Sequence, residues 1–234
     1  MDKGNYNESD RALKRMATHL SGHLEDYHEC FQTENFDGHE LCQSYITGLL
    51  KTESGKRNIE RLSEEIEMPE NNYQQLHHFI TESPWSSARV VGLVAQNTSD
   101  LYADQPDYRC RDVAYILDES AHLKKGKHSA GVSRQYAGVI GKVDNCQVGV
   151  YASLVWQCHS TLVNCRLFLP ECWTSNPERC EKAGIPPDAR VFKTKLELAL
   201  DMVRADMAAG VQFILAIGIG CGIINSIFPA ARAS

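Results

Sequence analysis

The sequence predicts an α/β protein, a partial mixed sheet layered with helix and preceded by a helical N-terminal region. Three observations carry this. Apolar residues recur at helical spacing between about residues 9 and 80. Short runs after residue 112 alternate, or are continuously apolar, in the manner of strands. A capped amphipathic helix then stands between two such runs.

In the first region, Ser54-Gly55-Lys56-Arg57 breaks the chain after an apolar stretch ending at Leu49-Leu50-Lys51. Ile59, Leu62 and Ile66 follow at i, i+3 and i+7, opposite Glu60, Arg61, Glu64 and Glu65. Met68-Pro69 ends this helix, because proline drives the preceding residue out of helical conformation. Gln74 to Ile80 is a further short helix closed at Ser83-Pro84, with Trp85 expected to pack the unit. The stretch SSARVVGLVAQNTSDLYA (86–103) predicts another helix, and Asp104-Gln105-Pro106-Asp107 is the expected boundary between regions 1–105 and 106–234.

Beyond it, VAYILD (113–118) predicts a buried strand ended by acids. CQVGVYASLVW (146–156) alternates, with Cys146, Val148, Val150, Ala152, Leu154 and Trp156 on one face. VNCRLFLP (163–170) is a third strand, closed by Pro170. Three prolines make 171–192 loop-like. Thr194 and Glu197 form a capping box, Leu196, Leu200, Val203 and Met207 fall on one helical face, and Gly210 supplies the stop. VQFILAIGI is the fourth strand.

The net charge of −6 hides an asymmetry: residues 1–112 hold 11 Lys/Arg against 20 Asp/Glu, and residues 113–234 hold 13 against 10. Any polyanion contact is therefore expected in the second part. Nine cysteines without a Cys-x-x-Cys pair fit neither a zinc ribbon nor a disulfide framework, which points to free thiols in a reducing cytoplasm. MDKGNYNESDRALKRM has no apolar core or cleavage site, so it is not read as a secretory signal. Adjacent His77 and His78 point to different helix faces and are read as surface residues.

Chemistry concentrates at ILDESAHLKKGKHSAGVSRQYAG (116–138). A carboxylate at the end of a buried strand, Asp118, can be aimed at a ligand, and Glu119 stands beside it as a weaker metal ligand. Lys124, Lys125, Lys127, His128, Arg134 and Lys142 follow, opposed in 120–145 only by Asp144. Such cations neutralise phosphate and position a nucleic-acid backbone. Acids also end strands without function, and lysines also protect hairpin edges. Charge spacing does not separate these readings.

The stretch 116–154 resembles bacterial insertion-sequence transposases of the DDE type, specifically the insertion-sequence-701-like group. The resemblance rests on Lys125-Gly126-Lys127-His128-Ser129, Gly131-Val132, Arg134-Gln135-Tyr136, Gly138, Gly141-Lys142 and Asn145-Cys146-Gln147-Val148-Gly149-Val150. Looser likeness extends over roughly residues 40–213. It implies a ribonuclease-H-like catalytic domain behind a helical region that helps bind element ends. It also implies magnesium held by three carboxylates, with Asp118 matching the first, for DNA cleavage and strand transfer. The implied partners are transposon ends, target DNA and further copies of the chain. No small-molecule substrate is implied, and the implied location is the bacterial cytoplasm at the nucleoid.

The sequence departs from that pattern near residue 219, where a second catalytic Asp is expected and Ile219 stands. No Asp or Glu follows Asp206, and Val211 to Ala231 is uncharged. A shifted reading frame or early stop is the expected cause, leaving an aberrant apolar tail from about 214 and a chain that does not cut DNA by itself. Three alternatives stand beside this: a DNA-binding or interaction remnant, a nuclease recruiting Glu119, Asp144 or Asp201, and membrane association through the tail. The tail's three glycines, Asn225, Ser226 and Pro229 make it a poor span. Gly218-x-Gly220-x-Gly222 lacks the rest of a nucleotide loop.

Overall fold

Residues 4–66 and 72–218 are described by the computed structural model of the chain. The Met68-Pro69 stop, the glycines at 220 and 222 and the tail beyond Gly218 lie outside these residues. The described part divides into two units, Met1–Val90 and Val91–Ser234.

In the first unit, helix α1 (Gly4–Glu25) and the single turn α2 (His28–Phe31) lead into a small hairpin, β1 (Gln32–Thr33) and β2 (Phe36–Asp37). Then come α3 (His39–Lys51), α4 (Ile59–Glu64) and α5 (Asn72–Thr81). Asn58 caps α4 by accepting from the Arg61 amide. The core forms where Leu62, Leu76, Phe31 and Phe79 lose their solvent. Trp85 joins it as expected: its ring lies 5.4 Å from Phe31 and 5.6 Å from Phe79, and its Nε1 donates to the Phe79 carbonyl at 2.7 Å. His77 and His78 are exposed.

Helix α6 (Ser87–Ala103) crosses the division between the units. Within the second unit, Ala95 and Tyr102 of this helix are part of the core of the sheet.

That sheet is built on β3 (Val113–Leu123), β4 (Ser133–Ala137), β5 (Lys142–Trp156), β6 (His159–Leu167) and β7 (Leu215–Gly218). The long β5 pairs antiparallel with β3 along one edge, and with β4 and then β6 along the other. β7 lies parallel to β3 on its far side. A parallel neighbour requires a crossover, and α9 (Lys195–Ala208) belongs to it. Before it, α7 (Glu171–Thr174) and α8 (Pro177–Lys182) occupy the stretch read as loop.

One sheet face is covered. Val113, Tyr115, Leu117, Val150, Ala152, Leu154 and Trp156 alternate inward against Ala199, Met202 and Val203 of α9. The α9 capping box forms as expected, with Thr194 Oγ1 accepting from the Glu197 amide and Glu197 Oε2 accepting from the Thr194 amide. The buried face differs from the expected one. Leu196 and Met207 are exposed, and Asp206 is buried at i+3 from Val203. Asp206 turns the helix because it has partners: Tyr115 Oη donates to it at 2.5 Å, and Asn164 Nδ2 donates to both its oxygens at 2.9 and 3.0 Å.

Candidate functional site

β3 does not end at Asp118. It continues five residues to Leu123, paired with β5 throughout. Hydrogen bonding, rather than charge, decides the boundary, since each residue to Leu123 keeps a partner on β5. Strand alternation then separates the two acids. Glu119 shares the covered face with Leu117 and forms a 2.6 Å ion pair with Lys195, in the first turn of α9. Asp118 lies on the opposite face and is exposed. Its Oδ1 accepts from the Glu119 amide at 2.8 Å.

The Asp118 face is polar around the acid. Across the ladder its partner is Tyr151, and Ser120 follows two residues on, opposite Gly149. Tyr151 leans along β5 and contacts His122 Nε2 through its hydroxyl at 2.8 Å. Gly149 permits this, because a Cβ there would meet the Tyr151 ring at 2.7 Å. Burial pushes the Tyr151 hydroxyl pKa up, and nearby Cys165 adds to the rise. On the other side of β3, Leu117 is level with Gly218, the last described residue of β7.

The basic residues occupy the loop that follows β3 and the β4–β5 hairpin. Side-chain amides hold the loop. Asn145 Nδ2 donates to the carbonyls of Lys124 (2.6 Å) and Gly126 (2.9 Å), and Gln147 Nε2 donates to that of Ala130 (2.6 Å). With φ of +74°, Gly131 has no space for a Cβ, which would meet the Phe168 carbonyl oxygen at 2.8 Å. These contacts give Asn145, Gln147 and Gly131 structural reasons.

A second small core locks the far end of the loop. Trp173 is fully buried with Val132, Leu169, Cys180 and Ile185, and its Nε1 donates to the Val132 carbonyl at 2.8 Å. The Arg179 guanidinium lies 3.7 Å from the Trp173 ring centroid and donates to the Lys127 carbonyl at 3.1 Å. Around it opens a cavity of about 510 Å³ lined by Lys127, His128, Asn176, Arg179 and Lys182, with Glu178 as its one acid. Lys127 and His128 are thus gathered with two cations that sequence reading missed. The signal existed: Asn176-Pro177 is an N-cap followed by proline at N1. Lys124 and Lys125 sit nearer β3. Arg134, opposite Asn145, and Lys142, opposite Ala137, fall on different faces of the hairpin, and Lys142 Nζ lies 3.8 Å from Asp144.

Two further features bear on ligands. Among the described residues, Glu25, His28 and His39 of the first unit form a group able to hold a metal ion. Also among the described residues, no helix is long and apolar enough to cross a membrane.

Comparison with known proteins adds a family. The family model of the DDE superfamily endonucleases matches residues 26–217. The chain is similar to a probable transposase for insertion sequence element IS701 from Microchaete diplosiphon, 29% identical over 148 residues. That match covers 63% of this chain and 34% of the relative, so the chain spans about a third of the length of the curated relative it matches. No solved structure matches.

Proposed function

This chain belongs to the DDE superfamily endonucleases, and from that membership we propose that it is a transposase-derived protein that binds DNA of an insertion sequence. Its second unit is a ribonuclease-H-like catalytic domain, and Asp118 is the first carboxylate of the catalytic set. The observation that carries the reading is the exposed Asp118 in the interior of β3, paired with Tyr151 of antiparallel β5 and one residue beyond the Leu117–Gly218 pairing with parallel β7. An exposed carboxylate mid-strand, oriented by the Glu119 amide and outside the packed face, is positioned to take a ligand.

The basic loop supports the DNA part. Leu123 is five residues beyond Asp118, a span of about 17 Å along the strand. One nucleic-acid strand covers that in about five phosphates. Lys124, Lys125, Lys127, His128 and Arg134, joined by Arg179 and Lys182, would hold backbone phosphates while the acid meets the scissile one. Helices of the first unit are read as the part that helps bind element ends.

Magnesium is the cation this family reading implies. It would steady charge on the attacking and leaving oxygens. The donors present fit it poorly. Around Asp118 the described residues supply one carboxylate, with neutral hydroxyls on Tyr151 and Ser120, and Glu119 faces the other way toward Lys195. Magnesium prefers several hard oxygens, so one carboxylate does not hold a pair of ions. In sequence, residue 219 is isoleucine where the pattern expects Asp. This chain alone therefore binds DNA without cutting it.

The test is an assay of the whole chain with element-end duplex in magnesium or manganese. Salt-sensitive binding without strand cleavage is expected. Cleavage abolished by Asp118→Ala would sink the inert reading and keep the site. Absence of salt-sensitive binding would sink the DNA reading.

A further inference from the structure

The first unit holds a cluster of metal-ligating side chains that the Asp118 site does not include. Glu25 ends α1, His28 begins α2, His39 begins α3 and Gln43 lies one turn further along α3. Three of their atoms form a tight triangle. Glu25 Oε1 is 3.1 Å from His39 Nε2, Gln43 Nε2 is 3.3 Å from Glu25 Oε1, and Gln43 Nε2 is 2.8 Å from His39 Nε2. A ring nitrogen of His28 joins the same group, and the two imidazoles stack at 4.5 Å.

Hydrogen bonds alone do not satisfy this triangle. If His39 Nε2 carries the proton, it donates to Glu25, and the Gln43 amide then faces it donor to donor. If His39 Nε2 is bare, Gln43 donates to it, and the lone pair then faces the Glu25 carboxylate at 3.1 Å. If the Gln43 amide is turned over, as amide assignment allows, its oxygen faces Glu25 acceptor to acceptor. In each arrangement one side of the triangle sets like against like. His39 is 7% exposed, so its Nε2 has little access to water, although Glu25 is open to solvent.

A cation removes it. With Gln43 turned over, carboxylate oxygen, imidazole nitrogen and amide oxygen all present lone pairs to one centre. Their separations of 2.8 to 3.3 Å approach the edge of about 3.3 Å of a tetrahedron with ligands at 2.0–2.1 Å. His28 supplies the fourth donor, a ring nitrogen within 4.8 Å of the Glu25 and His39 donor atoms, and its ring turns inward to complete the set. Its Nε2 contacts Asp37 Oδ2 at 3.0 Å, and such a carboxylate fixes the orientation of a ligating imidazole. Asp37 is itself held by the His39 amide at 3.0 Å.

We infer that Glu25, His28, His39 and Gln43 form a binding site for one divalent transition ion of the zinc type, fastening α1, α2 and α3 together. Two imidazoles with two oxygens suit zinc and exclude magnesium, which takes oxygen ligands. The site is independent of Asp118 and of the DNA reading.

The experiment is calorimetric titration of the whole chain, stripped with chelator, with zinc chloride in excess magnesium. One zinc per chain is expected, with a raised melting temperature. Glu25→Gln removes the charge on an exposed side chain, so the fold should survive while affinity falls about tenfold or more. His28→Ala should abolish the site, and His77→Ala should leave it unchanged. Cobalt(II) should give a tetrahedral visible spectrum without a thiolate charge-transfer band. Failure to take up zinc, uptake unaltered by Glu25→Gln and His28→Ala, or a thiolate band would each overturn the inference.

Discussion

Asp118 and Glu119 are consecutive in the chain and serve opposite faces of one strand: Glu119 is ion-paired to Lys195 at 2.6 Å beneath the sheet, and Asp118 stands exposed above it. Their substitutions should therefore separate. Asp118→Ala should leave stability within about 0.5 kcal/mol, as for an exposed residue without packing partners. Glu119→Ala should cost up to about 1 kcal/mol, because the pair is part-exposed and screened. Urea unfolding of the two variants checks this, and equal losses would contradict it.

The buried Tyr115–Asp206–Asn164 network should dominate stability in the second unit. Asp206→Ala strands the Tyr115 hydroxyl and the Asn164 amide in the core and should cost about 2–4 kcal/mol. Burial first, and the Asp206 hydrogen bond second, raise the Tyr115 pKa far above its ordinary 10.0. A raised folded value means that its contribution is complete below pH 10 and declines as pH rises beyond it, because only the unfolded chain then ionises. Tyr115→Phe should flatten that alkaline decline in urea midpoints measured from pH 8 to 11.

Thr194→Ala should destabilise α9 by about 1 kcal/mol through loss of the cap. The Thr194 amide first, and its hydroxyl second, hold the Glu197 carboxyl below the usual range. A lowered folded pKa is stabilising above the unfolded value and is lost as pH falls through the folded one. The variant should therefore show a shallower acid dependence of thermal midpoint than the parent.

Gly149→Ala should move Tyr151 rather than the backbone. The clash is with the outer ring of a half-buried side chain, which can swing away and abandon His122. The Tyr151 pKa should then drop toward its ordinary value, since burial is its main cause. Tyrosine absorbance titration measures this, and an unchanged titration would show that the ring stays in place.

Lys127→Ala and Lys182→Ala should each weaken DNA binding uniformly across sequences and reduce the salt slope by about 1. Arg179→Ala should do more than its single charge accounts for, because its guanidinium also pins the loop at Lys127 and stacks on Trp173. Affinity measured against salt, with melting of the same variants, separates the two effects.

Local grammar was legible wherever neighbours within a few residues make the decision. The capping box at Thr194 and Glu197 is a contact between residues three apart, and the alternation of Cys146 to Trp156 follows from strand geometry alone. The position of Trp85 was legible because a large aromatic beside a helix end must find a core. The short helices at Glu171–Thr174 and Pro177–Lys182 were missed because prolines suggested a loop, although they are stabilised by the Trp173 core. The α9 face was misread because apolar spacing favoured Met207 over Asp206, whose partners Tyr115 and Asn164 lie far back in the chain.

By itself the sequence determined the α/β order of elements, the capped helix, the charged loop and the family to which they belong, since these rest on short-range patterns of shape and charge. Tertiary structure alone decided which acid faces solvent, which cations share a pocket with Lys127, and that Glu25, His28, His39 and Gln43 meet. The reason is that those outcomes depend on strand register and helix rotation. Both are set by burial and hydrogen bonding between residues tens of positions apart, which no local pattern encodes.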